Sequence, residues 1–347
     1  MKKIKYLPAL LVFTLSGVVM RAQDIHFSQV YETPLLISPA NTGFYNGYFR
    51  AIANYRNQWV AMNNAFQTMG LSLDGGLFKS KKRPAFMGVG LTIYSDQAGV
   101  AKVRKTTALL NVSGLVKMGK YSALSVGLAG GTAATNGNYE KLTYASQFNG
   151  NSLDPGIDSR EPIYRQFTTV DVAAGIAYEF AKYKKDQDHD DVSSFRIALG
   201  AFHINTPTQE FGPGSKYETP VRWTAALTSV FDMEDTKFTV TPTLIYQAQG
   251  KFEELYMGSY VKFRMSTGTK VTGEKTQNAM GIGLFYRTKD AIVAKLIFDL
   301  GDFSAGLAYD LNVSTYRKAT NGFGGFEISL RYNNLASSLF ESRKEYK

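Results

Sequence analysis

Near the end of the chain runs Phe303-Ser304-Ala305-Gly306-Leu307-Ala308-Tyr309-Asp310-Leu311-Asn312. In an extended backbone Phe303, Ala305, Leu307, Tyr309 and Leu311 share one face, and Ser304, Gly306, Ala308, Asp310 and Asn312 share the other. The second face decides the architecture. Where two soluble sheets stack, the outward positions are Lys, Glu, Thr or Arg and the inward ones are bulky. Here the polar positions are mostly small and the apolar row runs to an aromatic. A strand with lipid on one side and a wet interior on the other has this composition.

The same alternation recurs outward from that stretch. Met87, Val89, Leu91 and Ile93 alternate with Gly88, Gly90 and Thr92, and Val170, Val172, Ala174, Ile176, Tyr178 and Phe180 with Thr169, Asp171, Ala173, Gly175 and Glu179. Phe326, Ile328, Leu330 and Tyr332 alternate with Glu327, Ser329 and Arg331. About fourteen such segments of roughly 8–13 residues can be marked, the span of a tilted strand across a bilayer. They lie near 48–57, 65–75, 86–95, 106–118, 121–134, 167–180, 194–204, 221–231, 237–247, 253–265, 278–287, 291–300, 303–313 and 325–332. An even count leaves both ends on one side, as bacterial outer-membrane barrels require. Short connections at Gly119-Lys120, Gly301-Asp302 and residues 232–236 then fall on the periplasmic side, and the long ones at 135–166 and 205–220 on the outside. Lys295 and Asp299 are expected to face the lumen. Pro242 removes a ladder donor in a sheet without edges, so a bulge or kink is expected there.

Composition agrees. The chain has 347 residues, 23 Phe and 21 Tyr against 2 Trp, 32 Gly, and no Cys. Without cysteine there is no disulfide framework, Cys-ligated zinc or iron–sulfur cluster. Residues 1–22 read as a secretory signal peptide: Lys2, Lys3 and Lys5 precede the apolar stretch 7–20, and Ala22 offers the small residue at the cut. An uncleaved membrane anchor is the rival reading. Removal of Lys2, Lys3, Lys5 and Arg21 takes the net charge from +10 to +6. Export leaves the basic balance without a nucleic-acid partner, and makes outer-membrane lipid the expected surrounding. Residues 23–47 (QDIHFSQVYETPLLISPANTGFYNG) precede the first strand and are too apolar to stay solvated. Within them His26, Phe27, Ser28, Gln29, Pro34 and Pro39 mark a segment that either plugs the lumen or clamps the periplasmic rim. The barrel proper spans 48–332, and residues 333–347 form a tail beyond the last strand, partner-facing on the periplasmic side or frayed.

Catalytic chemistry is poorly represented. There is no G-x-S-x-G, H-E-x-x-H or P-loop, and His26, His189 and His203 are scattered. Residues 186–191 (DQDHDD) lack the glycine and glutamate of a calcium-hand loop and read as a solvated turn. Gly127, Gly130 and Gly131 suit close backbone approach inside the lumen. Lys79 and residues 80–83 read as a solvated charged turn or a contact for an acidic subunit. No catalytic residue, metal ligand or cofactor is expected. Asn54, Tyr55, Arg56, Asn57, Gln58 and Trp59 form the sharpest local feature. Arg and Trp concentrate binding energy, so this strand end is a candidate partner contact; the alternative is that it merely seats the strand.

Taken with Gln23-Asp24, His26 to Gln29, Pro34, Ser38-Pro39-Ala40 and Thr42-Gly43, the stretch Asn54 to Trp59 resembles the opening of the PorP/SprF family of Bacteroidetes outer-membrane proteins. Further resemblance lies in Gly88 to Leu91 with Tyr94 to Gly99, in Tyr309 to Ser314, and in Gly322 to Tyr332. The resemblance implies a place in type IX secretion and gliding motility, and a barrel similar to the fatty-acid-transporter class. It also implies that the protein binds a secreted surface protein carrying a type B C-terminal domain, alongside other secretion subunits, and catalyses no reaction. The expectation is therefore an all-β outer-membrane barrel of about fourteen antiparallel strands that anchors a surface protein. The alternative is a channel for small or hydrophobic solutes.

Overall fold

The computed structural model describes residues 24–58, 66–79, 83–139, 142–160, 166–185, 190–212, 215–233, 236–265, 278–314 and 322–334. Sixteen strands lie among them: β1 (Phe49–Gln58), β2 (Phe66–Leu77), β3 (Ala85–Ala98), β4 (Val103–Lys117), β5 (Ser122–Asn136), β6 (Phe167–Lys185), β7 (Asp190–Phe202), β8 (Thr208–Gly212), β9 (Ser215–Glu218), β10 (Arg222–Asp232), β11 (Phe238–Gln249), β12 (Phe252–Arg264), β13 (Asn278–Arg287), β14 (Ala291–Leu300), β15 (Phe303–Asn312) and β16 (Phe323–Asn333). All but β8 and β9 close into one antiparallel barrel, in which β10 follows β7 and β16 pairs with β1 from Arg50↔Asn333 to Gln58↔Gly325. The strands fall where the period of two places them. The hairpin β8–β9 is an addition, built within the connection between β7 and β10.

The two faces differ as a bilayer requires. Ile176, Leu199, Leu227, Ile282, Leu284, Leu307 and Leu330 stand exposed on the outer surface, while Thr92, Asn111, Asp171, Lys295, Asp310 and Glu327 are buried inside. Aromatic side chains gather at one end of the outer wall. Phe49 and Phe303 flank Tyr332, Phe238 meets Phe263, and Phe180 stacks on Phe195. Trp223, Tyr246 and Tyr286 project at the other end. An apolar belt between two aromatic girdles is the exterior of a membrane barrel. The end carrying Phe49 and Asn333 is here called the rim, and the opposite end the mouth. The longest connections, between β5 and β6 and between β7 and β10, lie at the mouth, and the two-residue turn at Gly301 and Asp302 lies at the rim. Short turns belong on the periplasmic side, so the rim faces the periplasm.

Pro242 brings no bulge, contrary to the sequence expectation. Its pairing with Ser259 on β12 is unbroken. Toward β10 the ladder lapses after Thr228↔Thr243 and resumes in the same register at Phe231↔Val240. The missing N–H is aimed at β10, and losing one bond there is cheaper than reregistering the closed sheet. The register shift in the barrel ladders falls instead between β15 and β16, at Tyr309 and Leu311.

Candidate functional site

Residues 24–47 lie inside the barrel. They run down from the mouth, back up, and down again to the rim. At the mouth, the Asp24 N–H donates to Gln249 Oε1 (3.1 Å), and the Asp24 carboxylate meets Lys105 (3.3 Å) and His203 Nε2 (3.0 Å). His203 Nδ1 faces Asp171 at 2.9 Å, so the imidazole bridges two carboxylates. Burial alone would lower this imidazole, yet the two carboxylates hold it up to about 9. For Asp24, burial pushes the carboxyl up, and Lys105, Arg222 and His203 outweigh it and hold the group well below its usual range. At neutral pH the His203 imidazole is therefore protonated, between Asp24 and Asp171.

The first descent follows β15 and β16. Arg56 donates to the His26 carbonyl (2.7 Å) and to Asp310 (3.0 Å), and Arg287 donates to the same Asp310 oxygen (2.7 Å). Ser28 gives its hydroxyl to Asp310 (2.7 Å), and the backbone N–H groups of Ser28 and Gln29 both end on the Glu327 carboxylate (2.7 and 2.8 Å). Tyr256 caps the Ser28 carbonyl, Ser329 donates to the Gln29 side chain, and Arg331 pairs with Glu32 nearer the rim. The short helix α1 (Pro34–Ile37), opened by its proline, then lifts the chain toward β7 and β10. There Arg222 donates to the Leu36 carbonyl and Thr224 to that of Ile37.

On the second descent the backbone presses against the wall. A Cβ on Gly200, Gly175, Gly127 or Gly88 would collide with Ile37, Ser38, Pro39 or Thr42 respectively, so these inward glycines form a track cut for the segment. Ser125 and Ser113 on β5 and β4 donate to the carbonyls of Ala40 and Thr42 (2.6 and 2.7 Å). At the rim Arg50 grips Asp74 through two hydrogen bonds of 2.9 Å, Asp74 accepts the Gly43 N–H, and Lys79 donates to the carbonyls of Tyr45 and Gly47 at 2.6 Å each. Buried backbone groups in an irregular segment need partners, and the lumen supplies them.

The expected site residues divide accordingly. Phe27, Ser28, Gln29, Pro34 and Pro39 are buried in the lumen, and His26 is half-buried near the mouth. Asn54 and Arg56 point inward and are buried, whereas Tyr55, Asn57 and Gln58 are half-buried. Trp59 lies outside the described residues, as do residues 1–23, the tail from 335 onward, residues 80–82 and residues 186–189. Lys79 is a correction: the solvated turn expected there is an enclosed ammonium turned onto the segment. Gly127 meets the expected close approach, but Gly130 faces open space. Among the described residues no three His, Asp or Glu side chains gather as a metal site. The pairings of Asp310, Glu327, Arg287, Arg50 with Asp74, and His203 were not foreseen. Their one sequence signal is a charge in the small-residue row of a strand, as with Asp310 among Ser304, Gly306 and Ala308.

Barrels of known structure resemble this one at low identity. The toluene transporter TbuX of Ralstonia pickettii is 8% identical over 87% of this chain and 94% of its own, with a TM-score of 0.45. The CymD monoaromatic hydrocarbon channel is 10% identical over 90% of this chain and 94% of its own, at 0.44. BamA from Haemophilus ducreyi is 7% identical over 83% of this chain and 70% of its own, at 0.42. No curated protein matches the sequence. The family of type IX secretion system membrane proteins called PorP/SprF matches residues 19–332. With nearly the whole described chain matched and the wall of a lipid-facing barrel around a filled lumen, the chain belongs to the PorP/SprF family and is an outer-membrane component of type IX secretion.

Proposed function

We propose that the protein holds a secreted surface protein, one carrying a type B C-terminal domain, at the outer face of the outer membrane, and that it catalyses no reaction. The observation that carries this reading is the filled lumen. Residues 24–47 occupy it under buried ion pairs and a glycine track, which is a poor design for a solute channel and a rigid one for a docking platform. What remains free for a partner is the mouth, with residues 142–160, the hairpin β8–β9 and the outward side chains at the end of β1, Tyr55 and Asn57. Arg56 serves this surface indirectly, by fixing the segment beneath it. Other secretion subunits would meet the rim.

Affinity purification of the tagged protein from native membranes tests the reading. Co-purification of a large secreted protein, lost when residues 142–160 are replaced by a short linker that leaves the barrel heat-modifiable on gels, is the expected result. Recovery of the barrel without any secreted protein, from cells that display their surface proteins normally, would overturn it.

A further inference from the structure

The ends of the internal segment lie on opposite sides of the membrane. Gly47 and Tyr48 sit at the rim, where the Tyr48 N–H donates to the Asn334 carbonyl and the Asn333 side chain to that of Asn46. Asp24 sits at the mouth. Its partners are Lys105, two residues after β4 begins there, His203 directly after β7 ends there, and Gln249, the last residue of β11. Its neighbour Ile25 gives a carbonyl to Arg222, the first residue of β10 (3.3 Å). All four strand ends are mouth ends by the alternation of the sheet.

A chain that reaches Asp24 at the mouth cannot have come through the lumen from the rim as well. The space beside it, a cavity between Asp24, His26, Gln249 and Glu254, is only about 10 Å³. That is about the space of one water molecule and admits no second pass of chain. Crossing the barrel takes about ten residues at ~3.3 Å each. Phe27, Leu35, Phe44 and Tyr45 are buried at successive points along the segment's path.

We propose that the amino-terminal end of the mature chain surfaces in the mouth, on the cell exterior, although the first and last barrel strands both end at the periplasmic rim. The start of the chain thereby joins residues 142–160 and β8–β9 in the surface that a partner meets. The topology stands whether or not the anchoring reading does.

The absence of cysteine from the sequence makes the test direct. Single variants Gln23→Cys, Phe148→Cys and Lys120→Cys are expressed in the native outer membrane and treated on intact cells with a membrane-impermeant maleimide. Phe148 is exposed in a mouth connection and Lys120 in a rim turn. Each variant is first shown to keep its heat-modifiable migration. A second amino-terminal variant carries the cysteine in a short Gly-Ser arm inserted between residues 23 and 24, so that shielding of one side chain does not decide the outcome. The expected result is labelling of Phe148→Cys and of either amino-terminal variant on intact cells, with Lys120→Cys labelled only after permeabilisation. Intact cells that label Phe148→Cys but neither amino-terminal variant, both becoming reactive on permeabilisation, would overturn the proposal.

Discussion

Asp310 holds the inside of the barrel together at the level of single residues. It is buried, accepts from Ser28, and lies between the guanidinium groups of Arg56 and Arg287. Removing a partner from such a cluster leaves uncompensated charge in a place that water reaches poorly. Asp310→Ala is expected to cost about 3–5 kcal/mol, read as a lower temperature for the shift from compact to extended migration in detergent. A fall no larger than that of an outer-face control such as Leu307→Ala would contradict the role. His203 gives a pH signature. Its folded value near 9 lies above the unfolded 6.5, so its contribution is complete below 6.5 and is lost as the pH climbs through 9. Asp24, held low, contributes above its unfolded value of 3.8 and loses that contribution as the pH falls through its depressed value. The clamp at the mouth is therefore complete between roughly pH 4 and pH 6.5. Proteolysis of the first residues should accelerate between pH 7 and pH 10 in the wild type, whereas in His203→Gln the rate should start high and change little.

Among the elements, the internal segment and the strand glycines depend on one another. Gly175→Leu or Gly127→Leu places a side chain where Ser38 or Pro39 now sits, against the Ser38 hydroxyl in the first case and the Pro39–Ala40 backbone in the second. The expected outcome is a barrel that still migrates compactly while residues 24–47 become open to protease; Gly130→Leu, which meets open space, is the neutral control. The strands themselves were legible from the sequence because lipid on one face and water on the other impose a period of two. That pattern also put Asp310, Glu327 and Arg331 on the inner face. It could not show what they bind, since Arg56 meets Asp310 across 254 positions of sequence and neither residue is marked by its neighbours. The hairpin β8–β9 escaped notice because neither short strand has a face buried in lipid. Pro242 misled because a proline in a strand signals a lost donor, but not the side on which the loss falls. Lys79 misled because its turn carries further cations, whereas the carbonyls that capture it come from residues read as belonging to another segment.

At the scale of the whole molecule the protein is a lipid-facing cylinder stoppered by its own residues 24–47. The outer wall is apolar between aromatic girdles, the ladder closes from β1 to β16, and the inner wall is spent on residues 24–47. An anchor gains rigidity from such an interior, while a channel would lose its passage. Ion conductance of the purified protein in planar bilayers puts this to the most direct test. The intact chain is expected to stay electrically silent, and a chain lacking residues 24–46 to show discrete open steps. A steady open conductance from the intact chain, unchanged by the deletion, would contradict the sealed interior and the anchoring role that rests on it.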